Sequence, residues 1–100
     1  MTEDGAVHAG CNVENASYGL TLCAERNAVA TIVLANPDDR KIRLIAILSL
    51  DAAPCFPCEA CRQVLHEFCC KEAIVLEASG TFGHYPFDTL LPYAFGSENL

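Results

Sequence analysis

Strand and helix signals alternate along this 100-residue chain and predict an α/β sandwich whose successive strands are joined by helical crossovers. Three observations carry that prediction. A nearly continuous apolar run extends from Ile42 to Leu50, an apolar-rich segment of helical length from Cys23 to Ala35 precedes it, and a second segment of helical length opened by Pro57 follows it. No internal repeat, low-complexity tract or Ser/Gly-rich linker interrupts the pattern, so one domain spanning residues 1–100 is expected.

Taken in order, Val7 to Val13 has the character of a strand after the Asp4-Gly5 turn signal, and Asn15 to Gly19 that of a loop. The helix from Cys23 to Ala35 places Ala24, Ala28, Ile32 and Ala35 on one face and is stopped by Asn36-Pro37. Ile42 to Leu50 matches a strand buried on both faces and is expected at the centre of a sheet. Pro57 suits the first position of a helix running to Cys69, with Val64, Leu65 and Phe68 facing inward. Ala73 to Ala78 is a further strand. Asp88-Thr89-Leu90-Leu91-Pro92 reads as a capped short helical turn, and Phe95-Gly96 leads out of it.

The chain carries 6 Lys+Arg against 13 Asp+Glu, a formal charge of −7, with 52% hydrophobic residues. Affinity for a nucleic acid polymer comes mainly from Lys and Arg replacing counterions along the phosphates, so this balance argues against such a partner. The one basic group, Arg40, Lys41 and Arg43, sits beside Asp38 and Asp39 as a solvated turn. No stretch approaches the length of a membrane span, and the start, Met1-Thr2-Glu3-Asp4-Gly5, is acidic where a signal peptide is basic then apolar, so a cytoplasmic location is expected. A chain of this size forms a core with little excess stability, which favours a bound metal or a partner subunit. Seven cysteines, an odd number, point in such a compartment to metal binding or redox chemistry rather than structural disulfides.

Three thiols stand at the two predicted helix starts: Cys23 opens the first, and Cys58 with Cys61, at C-x-x-C spacing, opens the second. A helix N-terminus offers partial positive charge and free N–H groups, which lowers thiol pKa values and yields soft sulfur ligands suited to zinc. Three protein ligands leave a fourth position open. Glu25 follows Cys23 by two residues, about 200° around an ideal helix, and only in a less regular first turn can it face the same site. It need not bind the metal there. A carboxylate beside an open zinc position can take a proton from water and return it to a substrate nitrogen, the acid/base half of a hydrolytic deamination. Divalent zinc with three thiolates is a net anion, and Arg26 is placed to offset that by donating to a ligand sulfur; the other reading of Arg26 is a solvent-facing helical arginine.

Gly10-Cys11-Asn12-Val13-Glu14-Asn15-Ala16-Ser17-Tyr18, Cys23-Ala24-Glu25-Arg26, Pro57-Cys58-Glu59-Ala60-Cys61-Arg62-Gln63 and the tail Leu90-Leu91-Pro92-Tyr93-Ala94-Phe95-Gly96 form four ordered blocks that closely resemble the small homotetrameric cytidine deaminases. The resemblance covers nearly the whole chain and implies a three-layer α/β/α sandwich of the cytidine deaminase type, with a mixed sheet and helical crossovers. It implies one zinc ion per chain on Cys23, Cys58 and Cys61. Glu25 is then the group that moves protons between the zinc-bound water, N3 of the pyrimidine and the departing ammonia as cytidine and deoxycytidine become uridine and deoxyuridine. Asn12 and Glu14 match positions that hydrogen-bond the sugar hydroxyls, and their i, i+2 spacing at a strand end puts both on one face. Ala16 and Tyr18 match positions that line the site from a neighbouring subunit, and Phe95 a ring that packs on the base, again from a neighbour. Ala24 falls at a substrate-side position, while Arg26 and Pro57 flank the ligands in a supporting role. The implied partners are free nucleosides, with no nucleic acid polymer and no membrane, and a second to fourth copy of the chain that completes each site in a homodimer or homotetramer.

The sequence departs from the family in two places. Family chains begin with a helix and a first strand, and this sequence starts where that strand should end, which leaves three readings: a truncated start, a shortened sheet re-closed by a neighbour's strand, or a fold that no longer catalyses. Asp51-Ala52-Ala53-Pro54-Cys55-Phe56 also adds a cysteine near the second zinc motif, where Cys55 could compete as a ligand or form a disulfide. Two other readings follow: an inactive or structural zinc-binding deaminase-like subunit, and a thioredoxin-like thiol–disulfide protein built on Cys55-Phe56-Pro57-Cys58. Cys11, Cys69 and Cys70 read as small buried hydrophobes. His8, His66 and His84 lack ligand spacing, and His66 is expected on a helix surface.

Overall fold

The computed structural model describes residues 1–36, 38–50 and 54–100. Pro37 of the expected helix stop, and residues 51–53 of the loop before the second cysteine pair, lie outside the described residues. Helix α1 spans Ala24–Ala35, strand β1 Leu44–Ser49, helix α2 Glu59–Glu67, strand β2 Glu72–Glu77 and strand β3 Phe82–Pro86, with 3-10 turns at Tyr18–Leu20, Phe87–Thr89 and Ser97–Asn99. The sheet is mixed: β1 pairs parallel with β2 from Leu44↔Glu72 to Ser49↔Glu77, and β3 returns antiparallel to β2.

The helices share one face of this sheet. Val29 and Ile32 of α1, Leu65 of α2 and Ala73 of β2 are buried in a single cluster, against which Ile45 and Tyr85 pack. Ile45, Ala73 and Tyr85 are register partners, so they form one row across the three strands. The opposite face is open among the described residues, with Leu48 and Phe82 exposed. On α1 the inward set differs from the expected one. Val29 joins Ile32, whereas Ala35, in the last turn, has run past the sheet and is exposed.

Helix α2 ends at Phe68, after which Cys69 takes a left-handed φ of 58° and turns the chain back. The Cys70 N–H then reaches the Leu65 carbonyl at 3.1 Å and the Cys69 N–H the His66 carbonyl at 3.0 Å, closing the helix in the manner usually supplied by glycine. That geometry turns Cys69 to solvent and buries Cys70. Cys11 is exposed as well, so of these three thiols only Cys70 is the buried hydrophobe expected.

Strand β3 has no counterpart in the sequence reading. Gly83 and the terminal Pro86 dilute its pattern, but a turn with Gly80 at φ 91° delivers it to β2. A side chain at position 83 would strike the Tyr85 ring, so glycine lets that ring lie over the strand, where it meets Phe56 edge-on at 5.1 Å.

The expected strand at 7–13 is not formed; the segment makes a single antiparallel bridge, Val13↔Leu22. It lies across a groove of about 650 Å³ from β1, too far for a ladder. Its course is fixed instead by α1. A Cβ on Gly10 would stand 2.4 Å from both the Ala24 carbonyl and the Ala28 nitrogen, so only glycine permits this approach. Strand β1, expected at the centre, therefore lies at an edge of the order β1-β2-β3. Thr2 bridges antiparallel to Ile42, and Met1 exchanges bonds with Leu44 at 2.7 and 3.2 Å. Past Leu44 that edge has no backbone partner among the described residues.

Candidate metal and active site

The N-terminal ends of α1 and α2 converge beside the groove, where Cys23 and Cys58 line it. Cys23 is the N-cap of α1 and Cys58 the N-cap of α2, both in extended backbone (φ −73°, ψ 149° and φ −67°, ψ 166°), while Cys61 lies in the first turn of α2. Their three sulfurs lie within 4.8 Å of one another, with Cys23 and Cys58 at 3.8 Å. Tetrahedral zinc with bonds of about 2.3 Å places its sulfurs about 3.8 Å apart, so both the donor set and its spacing fit that ion. Cys61 is buried, Cys23 half-buried and Cys58 exposed, which leaves one side of the cluster open to the groove.

The extended backbone at Cys23 resolves the angular problem posed by Glu25. Because Cys23 lies outside the helix proper, its sulfur is not bound to the helical rotation, and Glu25 in the first turn faces the cluster: its Oε2 accepts from the Cys61 thiol at 3.8 Å. Arg26 donates from Nη2 to the Cys23 sulfur at 3.5 Å, so it faces the sulfur cluster rather than solvent. Hydrogen bonds to Cys23 and then Cys61 hold the guanidinium above its ordinary pKa. The Cys61 backbone N–H donates to the Cys58 sulfur at 3.4 Å and is the main cause of a lowered Cys58 pKa. Burial pushes the Cys61 thiol the other way, so a cation is needed to hold it as thiolate.

Asn12, Ala24 and Glu25 line the groove together with Cys23 and Cys58. Asn12 Oδ1 accepts the Ala24 N–H at 2.8 Å. His8 lines the groove too, and its Nε2, like the Nε of Arg26, is buried with no hydrogen-bond partner among the described residues. Glu14, Ala16, Tyr18 and Phe95 do not line the groove of this chain and are exposed. Pro57 is fully buried behind the ligands, its carbonyl held by Arg62 Nε at 2.7 Å. Cys55 takes no part in the cluster; its sulfur contacts the neighbouring Phe56 carbonyl at 3.9 Å.

Several supporting residues carried no assigned role in the sequence. Asn27 holds the Cys11 carbonyl at 2.8 Å and so fixes the segment bearing Asn12. Arg62 also reaches the Leu90 carbonyl at 2.8 Å, and Gln63 the Phe95 carbonyl at 2.8 Å. His66 is half-buried and paired with Glu98 at 3.1 Å. Polar residues in helices ordinarily face water, and no local spacing tells which of them will reach a segment 28 to 32 residues away.

Residues 1–77 match the family model described as the cytidine and deoxycytidylate deaminase zinc-binding region. The chain belongs to that deaminase family. Among curated relatives, the cytidine deaminase of Sporosarcina psychrophila is 36% identical over 102 residues, covering 100% of this chain and 74% of the relative. The cytidine deaminase of Mycobacterium tuberculosis strain H37Rv is 39% identical and is covered over 71% of its length. The 1.6 Å crystal structure of the Burkholderia pseudomallei cytidine deaminase superposes with a TM-score of 0.82 at 39% identity, covering 95% of this chain and 76% of that one. The deaminase fold is thus shared, with its mixed sheet and helices, and no described helix is long and apolar enough to cross a membrane. Membership in a zinc deaminase family, with Cys55 outside the sulfur cluster, removes the basis for the thiol–disulfide reading.

Proposed function

We propose that this chain deaminates cytidine and deoxycytidine hydrolytically, giving uridine or deoxyuridine and ammonia. The observation that carries this reading is the Glu25 carboxylate set against the three-sulfur cluster, which a purely structural zinc site does not require. Zinc, when bound by Cys23, Cys58 and Cys61, supplies Lewis-acid activation of water. Glu25 accepts a proton from the attacking water and passes it to N3 of the pyrimidine. The water oxygen bonds to C4, the C4–N4 bond breaks, and Glu25 returns the second proton to the leaving nitrogen, so ammonia departs and the carboxylate is regenerated. Arg26 balances the negative charge of the thiolates. Asn12, its Oδ1 committed to Ala24, offers its NH₂ group to a sugar hydroxyl, with Glu14 and Ala24 beside it.

A second copy completes the site in this reading. Tyr18 and Phe95 are 89% and 61% exposed on one chain and so are available to a neighbour, and with Ala16 they reach the groove of another subunit in a homodimer or homotetramer. A reducing, cytoplasmic setting suits three ligands that must stay thiolates. The acidic balance favours free nucleosides over a polymer.

The test is cytidine hydrolysis by the zinc-loaded chain, followed by pyrimidine absorbance, with Glu25→Gln as the comparison. Loss of turnover by at least about a hundredfold at unchanged zinc content is expected, and equal rates would overturn the proton-transfer role.

A further inference from the structure

The side of α2 that faces the C-terminal segment carries three donors within five positions. Arg62, Gln63 and His66, spaced i, i+1 and i+4, reach the Leu90 carbonyl, the Phe95 carbonyl and the Glu98 carboxylate. The same helix begins at Cys58 and Cys61, so the segment that bears Phe95 is tied to the element that bears two of the three sulfurs.

The tied segment is under constraint. Tyr93 stands in the left-handed region at φ 53°, an arrangement that persists only where the surroundings over-determine it. Its ring is wholly exposed and buries nothing to offset that cost. A Cβ at Gly96 would come within 2.6 Å of His66 Nε2 and nearer still to the Glu98 carboxylate, so a side chain there would displace the ends of that pair. A left-handed residue two positions before it and three long-range tethers flank the exposed ring of Phe95.

We infer that Gln63 is a positioning residue: its amide fixes the backbone at Phe95 so that the ring is presented at a set distance from the zinc-bearing helix, ready to cover the base in the groove of a second copy. This rests on the proposed deaminase reading and adds to it the residue that aims the ring. Arg62 and His66 anchor the ends of the segment, whereas Gln63, alone among the described side chains, holds the residue that makes the contact.

The test compares Gln63→Glu, which is isosteric but carries no donor, with Gln63→Lys, which restores one, and with Phe95→Ala. For Gln63→Glu the expected result is a KM for cytidine raised about fivefold, kcat within about twofold of the parent, and unchanged zinc content and oligomeric state. Gln63→Lys should recover most of the loss. Amide hydrogen exchange at Phe95 and Gly96 should quicken in Gln63→Glu and not in Phe95→Ala. An unchanged KM for Gln63→Glu, or unchanged exchange at Phe95, overturns the positioning role. A normal KM for Phe95→Ala overturns instead the placement of the ring at the base. If the parent chain itself fails to deaminate cytidine, the deaminase reading fails and the exchange measurement still decides whether Gln63 holds the segment.

Discussion

Asn12 caps α1 from outside the helix: its Oδ1 accepts the Ala24 N–H at 2.8 Å, while Cys23, which occupies the N-cap position, makes no side-chain cap. At α2 the N-cap sulfur of Cys58 itself accepts the Cys61 N–H, whereas at α1 the cap comes from a residue eleven positions earlier than Cys23. Asn12→Ala is therefore expected to lower stability by about 1 kcal/mol and to weaken zinc retention, whereas Asn12→Asp keeps the cap while it replaces the NH₂ donor with a negative charge. Thermal unfolding and metal content of the two variants separate these effects; equal Tm values for Asn12→Ala and the parent would count against the capping role.

The seven thiols should react in three groups. Cys11, Cys55 and Cys69 are exposed and free, so three react with an aromatic disulfide reagent in the zinc-loaded protein. A chelator then releases Cys23, Cys58 and Cys61, adding three more. Cys70, whose thiol is pushed up to about 11 by burial, reacts only on unfolding. A count of four before chelation would mean that a ligand sulfur is not held.

Acid should loosen the two ends of the chain. Glu3, beside Lys71, and Asp4, hydrogen-bonded by Thr2 and Ala6, both sit below the ordinary carboxylate range, as does Glu98, held by its own backbone N–H and by His66. A carboxyl lowered in the folded state stabilises it fully above its unfolded pKa and loses that contribution as pH falls through the folded value. Stability is therefore expected to be flat above about pH 5 and to decline below about pH 4. These groups are exposed, so added salt should shrink the effect. Urea titrations between pH 7 and pH 3 check this, and a stability that rises on acidification would contradict it.

Cys69→Gly should stabilise the protein. A side chain in the left-handed region costs about 1–2 kcal/mol, and glycine returns about half of that gain as extra freedom in the unfolded chain. A rise in Tm at unchanged activity is expected, because Cys69 lies at the far end of α2 from the sulfurs. A lower Tm would mean that the thiol makes a contact of its own.

Both helices, two of the three strands and the three sulfurs that cluster were legible in the chain, because each rests on a local pattern: periodicity, strand-length apolar runs, or cysteine spacing at a helix start. What escaped depends on partners distant in sequence. Residues 7–13 alternate as a strand does, yet form none because the nearest edge lies across a groove. Phe82–Pro86 looks too broken for a strand, yet becomes one because β2 supplies every bond it needs. At the site, the 200° separation of Cys23 and Glu25 on an ideal helix disappears once Cys23 adopts extended backbone, a matter of one ψ angle. Asn27, Arg62 and Gln63 were silent for the same reason as β3: their significance is what they reach.

The open edge of β1 bears on how this chain behaves at high concentration. Leu44–Ser49 reads LIAILS, six residues without a charge or a proline, and beyond Leu44 its outward N–H and C=O groups answer to nothing in the described chain. Such an edge is a template on which another extended backbone can lay itself, and uncharged segments of this kind are where amyloid-like stacking starts. The strand that floors the groove is thus also a surface on which an added extended segment would find its backbone bonds waiting.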